Sequence, residues 1–597
     1  MTLSLDISNL AALYADGETT PERVVREIYA RIRRKGIAPD WITLVDEDMA
    51  ADRARHAARG PLYGIPFAVK DNIDVAGLPT TCACPAFAYV PDRSATVVEL
   101  LEAAGAVLIG KTNLDQFATG LNGTRSPYGI PASTFNSAYI SGGSSSGSAV
   151  VVAAGLVSFS LGTDTAGSGR VPAAFNNIVG LKPTKGIISA RGVVPACKSQ
   201  DAVSIFALTV GDAVKVAETA IAYDAEDSYA RNDAPPFIVE DGLQGLKVGV
   251  PNAPLSFFGD ADYQRLFHET IARVSKLGAT IVPFDFGPFR ETAAMLYDGP
   301  WVAERLASVS DLAARDPDAI EPTVRNIILD GKDKSAVNAF RSFYRLAELA
   351  RSAEREWARM DVMLLPTAGT TYTIAEMLAD PIRLNSNLGA YTNFVNLMDL
   401  AALAVPAGFR ADGIPFGVTL IGRAFSDGKL AATGDALHRA SEDIQMGATS
   451  IPLATTPSVP VATPHGKTIR VAVVGAHLSG QPLNSQLTDR NAIFRETSRT
   501  AEGYRLYALS GTTPPKPGLV FDGTGPGAIE VEVWEMNHAA FGSFVALVPS
   551  PLAIGTLTLH DGRKVMGFLC EPYAVRGAEE ITEFGGWRAW LSRTVVA

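Results

Sequence analysis

Cysteine and histidine are scarce in this sequence. Only four cysteines and seven histidines occur among 597 residues. So few cysteines cannot build a disulfide framework in a chain of this length, and Cys82 and Cys84 are not followed by a His/Cys pair at zinc-binding spacing. We therefore expect ordinary thiols in a reducing compartment and no bound metal.

Long apolar runs and clusters of basic residues are missing as well. The longest apolar stretch, residues 149–157, is too short to cross a bilayer, and the opening residues lack the basic and apolar regions of a signal peptide. The formal net charge is −11, whereas a nucleic-acid binder needs a basic surface to displace phosphate counterions. These absences predict a cytoplasmic protein with neither a membrane nor a nucleic-acid partner.

The composition that remains is that of a globular protein, with 47% hydrophobic and 19% charged residues. A chain of this length predicts two or more domains. Between residues 451 and 468, four prolines alternate mainly with Thr, Ser and Ala, a pattern typical of an extended linker. We expect a large domain over residues 1–445, a linker over 446–469 and a C-terminal domain over 470–597.

The large domain alternates helix and strand patterns, which is typical of an α/β domain. Thr20 and Pro21 form an N-cap and N1 pair before a helical repeat that includes Val25 and Ile28. A further helix is predicted at residues 97–104, and buried strands at 63–69, 106–109, 246–250 and 362–365. In the C-terminal domain, short alternating runs between Gly and Pro turns predict a small β-rich barrel, with strands at 470–474, 504–509, 529–534 and 554–559.

Two short motifs match known patterns without the required structural context. Residues 105–112 match the P-loop pattern G-x-x-x-x-G-K-[ST], but the four variable residues are Ala-Val-Leu-Ile, which favour a buried strand over a phosphate-binding loop. Residues 143–147 match G-x-S-x-G, but the preceding segment is a poor strand for a nucleophile elbow. The alternative for this second motif is a Gly/Ser-rich surface linker.

Three separated segments carry the residues best suited to catalysis. Lys70 follows the apolar strand pattern, a serine-rich segment spans residues 141–148, and residues 161–172 read Leu-Gly-Thr-Asp-Thr-Ala-Gly-Ser-Gly-Arg-Val-Pro. In this order and spacing they strongly resemble the amidase signature family. The resemblance runs through most of residues 1–445 and includes residues 111–115. It implies an α/β fold with a large mixed β-sheet flanked by helices.

The same resemblance implies a Ser–cisSer–Lys triad, with Ser168 as the nucleophile, Ser144 as the bridging serine and Lys70 as the base. The chemistry of these residue types agrees. A serine hydroxyl needs an adjacent base to become a good nucleophile, and burial can lower the pKa of a lysine until its neutral amine accepts a proton. A bridging hydroxyl can donate and accept at once.

The loop before the nucleophile is expected to stabilise the oxyanion. Backbone amides of Thr165, Ala166, Gly167 and Ser168 are the candidates, with Ala166 standing where the family usually has glycine. Asp164 and Arg170 flank this loop on its two sides. They predict a structural pair that holds the loop, and the alternative is an exposed ion pair.

Two features of the large domain bear on the substrate. Residues 296–305 resemble the segment of allophanate hydrolases in which a tyrosine and an arginine hold the substrate, and this implies substrate-binding roles for Tyr297 and Arg305. An arginine suits a carboxylate because its planar fork donates two parallel hydrogen bonds. The alternative for Arg305 is a solvated residue at a helix start. Gly123 is a weaker candidate for close backbone approach to the substrate, with a plain turn as its alternative.

The C-terminal domain resembles the small domain appended to allophanate hydrolases, a barrel like that of gamma-glutamyl cyclotransferases. The matching stretch is residues 473–484. The resemblance implies that this domain assists decarboxylation of the first product and that His477 serves as a proton donor or an anion contact. A structural histidine at a strand end is the alternative.

Together these resemblances predict hydrolysis of allophanate through an acyl-enzyme to ammonia and carbon dioxide, with no metal or organic cofactor. The alternatives are an amidase of another small amide-acid such as malonamate, a glutamine-dependent amidotransferase component that passes ammonia to a partner, and a non-enzymatic scaffold with a relic site. The resemblance further implies a homodimer and a functional link to a biotin-dependent urea carboxylase.

Overall fold

The computed structural model of the protein describes residues 3–36, 38–232, 243–441, 445–454, 468–490 and 492–594. The chain divides into two compact units, Met1–Val461 and Ala462–Ala597. The division falls within the predicted linker 446–469, of which residues 455–467 lie outside the described residues.

An eleven-stranded mixed sheet forms the centre of the first unit, within the described residues. Its spatial order is β1-β3-β2-β4-β6-β5-β10-β11-β9-β7-β8. The strands are β1 (Trp41–Leu44), β2 (Pro66–Lys70), β3 (Val107–Thr112), β4 (Phe159–Asp164), β5 (Val179–Lys182), β6 (Ala202–Ala207), β7 (Lys247–Pro251), β8 (Thr280–Phe284), β9 (Val362–Pro366), β10 (Leu400–Phe409) and β11 (Pro415–Arg423).

Helices flank this sheet and begin where the sequence supplies caps. The predicted helix after Thr20 is confirmed: Thr20 Oγ1 accepts from the Arg23 amide and Pro21 takes the first helical position. The α-helices of this unit are α1 (Ile7–Ala15), α2 (Pro21–Lys35), α3 (Glu47–Arg55), α4 (Thr96–Ala103), α5 (Ser146–Ala153), α6 (Val171–Phe175), α7 (Val210–Ala220), α8 (Ala261–Lys276), α9 (Gly287–Asp298), α10 (Trp301–Ser308), α11 (Ser310–Arg315), α12 (Pro322–Leu329), α13 (Ala336–Trp357), α14 (Ile374–Ala379), α15 (Arg383–Leu388), α16 (Phe394–Leu397) and α17 (Asp427–Arg439).

Three neighbouring strands of the sheet position the catalytic candidates. β2 pairs in parallel with β3 on one side and with β4 on the other. All three are buried along their whole length, as expected for strands covered on both faces. The predicted strand at 63–69 is confirmed with a shift, because residues 61–64 form a turn and the strand runs from Pro66 to Lys70.

The strand prediction for the P-loop look-alike is also confirmed. Residues 107–112 are β3, and the Lys111 ammonium contacts the Asp71 carboxylate at 3.0 Å with both side chains fully buried. Lys111 Nζ also donates to the Pro79 carbonyl at 2.8 Å and to Thr80 Oγ1 at 2.7 Å. A lysine held in this way inside the sheet is not available to a phosphate.

The second unit is β-rich, as predicted, with its described strands arranged in a five-stranded and a three-stranded sheet. Their orders are β13-β16-β12-β18-β17 and β15-β14-β19. Its elements are β12 (Thr468–Val473), α18 (Ser485–Thr488), β13 (Ile493–Arg499), β14 (Tyr504–Ala508), β15 (Pro517–Phe521), β16 (Glu530–Asn537), α19 (His538–Val545), β17 (Leu552–Thr558), β18 (Lys564–Cys570), β19 (Glu579–Glu580) and α20 (Trp587–Thr594).

Membrane-spanning helices were sought among the described residues of both units. No helix there combines the length and the apolar character that a bilayer crossing requires.

Candidate active site

Lys70 lies at the end of β2, where the buried strand delivers its side chain into the interior. The side chain is fully buried. Its Nζ donates to Ser144 Oγ at 2.8 Å and to Thr163 Oγ1 at 2.8 Å. The structure thus brings together two of the three predicted triad residues and adds Thr163, a residue of β4 that the sequence reasoning did not single out.

Burial lowers the pKa of Lys70 to about 7, and the nearby carboxylates of Asp115, Asp201 and Asp164 oppose this shift. The desolvation of the ammonium is therefore the dominant effect. A lysine with this pKa is largely neutral slightly above pH 7. It can then accept a proton from a hydroxyl.

Ser144 is held by the serine-rich segment that precedes α5. The Gly143–Ser144 peptide bond is cis, and the Ser144 carbonyl accepts from the Asp115 amide at 3.0 Å. Gly143 has no room for a side chain, since an added Cβ would lie 2.2 Å from Asp115 Oδ2. The segment is not a surface linker, because residues 141–148 are all buried.

Asp115 organises this region and was missed from sequence. Its buried carboxylate accepts from the amides of Asn122 (3.3 Å), Gly123 (3.0 Å) and Arg125 (3.0 Å). Gly123, a predicted substrate contact, therefore spends its amide on Asp115. Its φ is +81°, and a Cβ would lie 2.8 Å from the Gly142 carbonyl oxygen. The geometry assigns Gly123 to close packing against the serine loop.

Ser168 lies in the loop between β4 and α6 and is 2% exposed. The described residues contain no hydrogen bond between the Ser168 and Ser144 hydroxyls, so in this structure the Ser144–Lys70 half of the expected relay is formed. Catalytic hydrogen bonds are often long before a substrate is bound.

The oxyanion loop differs from the prediction at one amide. The Gly167 amide donates to Asp164 Oδ1 at 3.1 Å, so it is already occupied. Among the described residues, the amides of Thr165, Ala166 and Ser168 have no such acceptor. Gly167 has φ +136°, and a Cβ there would lie 2.5 Å from Thr392 Oγ1. Its role is to let the loop turn beneath Thr392.

Asp164 and Arg170 form a buried ion pair, which excludes the exposed alternative. Arg170 Nη2 lies 2.9 Å from Asp164 Oδ1, and both side chains are fully buried. Burial alone would raise the pKa of Asp164, but the Arg170 guanidinium and the hydrogen bonds to the carboxylate lower it overall. The pair therefore stays charged and holds both ends of the nucleophile loop, as predicted.

Tyr297 and Arg305 come together, on α9 and α10. The Arg305 guanidinium carbon lies 5.4 Å from the centre of the Tyr297 ring. Arg305 is 2% exposed, so it is not the solvated residue of the alternative. Its Nη1 donates to Thr119 Oγ1 at 3.1 Å, while Nε and Nη2 have no partner among the described residues.

An unpaired buried guanidinium is unusual, because a desolvated donor without an acceptor is costly. The Nε and Nη2 edge is the part of the fork that grips a carboxylate with two parallel bonds. Tyr297 also lines a cavity of about 520 Å³, together with Arg290 and Asn393. The triad candidates do not line that cavity.

In the second unit, His477 is buried and packs between aromatic rings. Its ring is stacked on Phe568, with centroids 4.9 Å apart, and Nε2 lies 2.9 Å from Gln486 Oε1. Burial lowers the pKa of His477, although the Gln486 contact acts against this. The histidine is therefore neutral near pH 7. This environment fits a structural histidine or a neutral hydrogen-bond donor better than a general acid.

Comparison with known proteins identifies both parts of the chain. Residues 24–431 match the Amidase family, and residues 469–592 match the Allophanate hydrolase C-terminal domain. The amidase component of a glutamyl-tRNA(Gln) amidotransferase of Symbiobacterium thermophilum is 35% identical over 71% of this chain and 94% of its own length. That match leaves the second unit unexplained.

Two further relatives cover nearly all of the chain. A urea amidolyase of Saccharomyces cerevisiae is 45% identical over 89% of this chain, which spans only 30% of that longer protein. The solved structure of an allophanate hydrolase of Kluyveromyces lactis is 40% identical, covers 99% of both chains and superposes with a TM-score of 0.81. The chain therefore belongs to the amidase family, as an enzyme that shares the full-length organisation of the allophanate hydrolases.

Proposed function

We propose that this enzyme hydrolyses allophanate (urea-1-carboxylate), with Ser168 as nucleophile, Ser144 as bridging serine and Lys70 as base. The observation that carries the substrate assignment is the buried Arg305 guanidinium with Nε and Nη2 unpaired. Allophanate has an amide at one end and a carboxylate at the other. A carboxylate would satisfy the open edge of Arg305 while the amide is presented to Ser168.

In the first half-reaction, Ser168 Oγ attacks the amide carbonyl carbon. The hydroxyl proton passes through Ser144 Oγ to the neutral Lys70 amine, supported by the 2.8 Å contact between Lys70 Nζ and Ser144 Oγ. Free amides of the loop that contains Thr165 and Ala166 stabilise the developing oxyanion. The C–N bond then breaks, and the relay returns the proton to the leaving nitrogen as ammonia.

In the second half-reaction, water attacks the acyl-enzyme and the same relay accepts its proton. Ser168 is released together with N-carboxycarbamate. Loss of carbon dioxide from that product gives carbamate, which decomposes further. In total, one allophanate anion, one water and one proton give two ammonia and two carbon dioxide. The steps need no electron transfer.

The C-terminal domain is proposed to assist the decarboxylation. Support comes from its match to the Allophanate hydrolase C-terminal domain and from the enclosed position of His477, which is 8% exposed. The His477 carbonyl also accepts from Asn484 Nδ2 at 2.9 Å, so the segment around it is well fixed. In this proposal His477 contacts the anion as a neutral donor.

The urea amidolyase relatives support a functional link to a biotin-dependent urea carboxylase, which would supply allophanate. A solved structure of a Kluyveromyces lactis urea amidolyase covers all of this chain, and this chain covers 37% of it. We propose that a separate or fused carboxylase produces the substrate. A homodimer is likewise a proposal, taken from the family resemblance alone.

An amidase of another small amide-acid, such as malonamate, is the second candidate, since the open edge of Arg305 would serve any carboxylate. The amidotransferase alternative accounts for the first unit only. It gives no role to residues 469–592.

Replacement of Arg305 by glutamine tests the carboxylate assignment. We expect kcat/KM for allophanate to fall by roughly 10²–10³-fold, or about 3–4 kcal/mol, because a desolvated charge pair would be lost. Steady-state ammonia release measures this effect. Turnover of a neutral amide such as acetamide should change by less than about threefold, since it has no carboxylate for Arg305 to bind.

The matched control is Arg345→Gln, which removes an exposed arginine paired with Glu291 and should leave both substrates unaffected. Equal losses on allophanate and acetamide in the Arg305 variant would contradict the carboxylate role. They would point to a structural role for Arg305.

A further inference from the structure

Asp201 lies beside the nucleophile loop, outside the proposed triad. It directly precedes β6, whose first residue Ala202 pairs with Asp164 in the antiparallel β4–β6 ladder. This register brings residue 201 alongside Thr165. The Thr165 hydroxyl accordingly donates to Asp201 Oδ1, and Asp201 is only 8% exposed.

The carboxylate of Asp201 is fixed from its other side by backbone donors. The Ala196 amide donates to Oδ2 at 2.8 Å, and the Cys197 amide lies 3.2 Å from both oxygens. An acceptor-only pattern of this kind favours the ionised form. Asp201 therefore closes a tight turn of residues 196–201 onto the Thr165 hydroxyl.

The same turn is attached to α10, the helix that carries Arg305. Ser199 donates to the Glu304 carboxylate twice, from its amide at 2.7 Å and from its hydroxyl at 2.8 Å. The Cys197 thiol contacts the Trp301 carbonyl at 3.4 Å. One short segment thus joins the proposed carboxylate-binding helix to the proposed oxyanion loop.

We propose that Asp201 is a positioning residue for the hydrolysis: its carboxylate holds Thr165, and with it the oxyanion loop, in register with Ser168, while its negative charge faces both Lys70 and Arg305. This inference rests on the proposed triad. It does not depend on which amide is the substrate.

The charge of Asp201 has a consequence for the pH profile. The charged and titratable groups around it are Lys70 of β2, Arg305 and Glu304 of α10, and Lys185 and Cys197 of the neighbouring loops. Burial raises the pKa of Asp201 to about 6, against the hydrogen bonds and Arg305, which lower it. The negative charge of Asp201 in turn raises the pKa of Lys70.

Two protonations therefore reduce activity as the pH falls. Lys70 gains its proton first, through about pH 7, and Asp201 gains one through about pH 6. Log kcat/KM of the wild type should approach a slope of two below pH 6. Asp201→Asn should show a slope of one, and its Lys70 limb should move to lower pH, because removing a negative neighbour makes the ammonium easier to deprotonate.

The test compares three variants of the full chain with the wild type, with kcat, KM and the pH profile measured on the amide that the wild type hydrolyses best. Asp201→Asn should lower kcat by roughly 10- to 100-fold with little change in KM, because the oxyanion donors lose their fixed position. Thr165→Val should lower kcat similarly but keep the slope of two. It removes the hydrogen bond and leaves the charge.

Asp212→Asn is the matched control, since Asp212 is a buried carboxylate that accepts from the Ile7 amide at 3.1 Å and belongs to no part of the site. It should leave kcat and the profile unchanged. Wild-type kcat and an unchanged profile in Asp201→Asn would overturn the proposal. A loss in Asp201→Asn without the slope change and limb shift, or full activity in Thr165→Val, would overturn it as well. Failure of the triad itself would be recognised separately, by an active Ser168→Ala variant.

Discussion

Ser168→Ala should abolish turnover, with kcat reduced by roughly 10⁴–10⁶-fold. The variant removes the atom that forms the acyl-enzyme, and residual activity would come from binding and the oxyanion loop alone. Ser168 is buried at the turn between β4 and α6, where a methyl group in place of the hydroxyl leaves the fold intact. Ammonia release under single-turnover conditions measures the loss.

Ser148→Ala is the matched control for this prediction. Ser148 is equally buried, and its hydroxyl donates to the Leu161 carbonyl at 3.0 Å without contacting the triad. Its loss should cost about 1 kcal/mol of stability and leave kcat within a few-fold of wild type. Comparable activity in Ser168→Ala and Ser148→Ala would show that another group is the nucleophile.

Lys70→Met should reduce kcat by roughly 10²–10⁴-fold, the range that general-base catalysis commonly contributes. Methionine fills the same buried space, so the side chains around Lys70 keep their packing. The loss should come from the missing proton acceptor next to Ser144. Kinetics on wild type and variant across pH 5–9 measure it.

The pH profile carries the sign of this prediction. Burial lowers the pKa of Lys70 to about 7, and the neutral amine is the active form, so wild-type activity should rise with pH through about 7 and level off above it. Lys70→Met should lose that limb. A wild-type profile that falls across pH 6–8, or a Lys70→Met variant that keeps the rising limb, would contradict the role of Lys70 as base.

The residues of the triad could be predicted from sequence because the three segments stand in a distinctive order and spacing. The apolar run before Lys70 also predicted its place at the end of a buried strand, and the structure explains why this matters: full burial is what lowers the pKa of its ammonium. The P-loop look-alike could be rejected for a related reason. Four consecutive apolar residues favour β3 over a loop.

The supporting residues could not be predicted, because their contacts join distant parts of the chain. Thr163 meets Lys70 across 93 positions, and Asp201 meets Thr165 across 36. Neither pairing leaves a local pattern. Asp115 lies inside the family-like segment 111–115, so a clue existed, but its role as acceptor for three loop amides depends on the path of residues 122–125.

Other differences arise from backbone geometry that spacing does not reveal. The Gly167 amide was expected to face the oxyanion, but the turn directs it to Asp164. The Gly123 amide was considered for the substrate, but it donates to Asp115. In both cases a buried carboxylate competes for the amide, and sequence patterns carry no information about that competition.

The central claim is tested most directly by ammonia release from allophanate by the purified chain, at about one unit above the pKa of Lys70, with malonamate and acetamide assayed beside it. The account predicts the highest kcat/KM on allophanate, lower values on malonamate and lowest on acetamide. Turnover of malonamate or acetamide without turnover of allophanate would leave the amidase chemistry in place and contradict the proposed substrate.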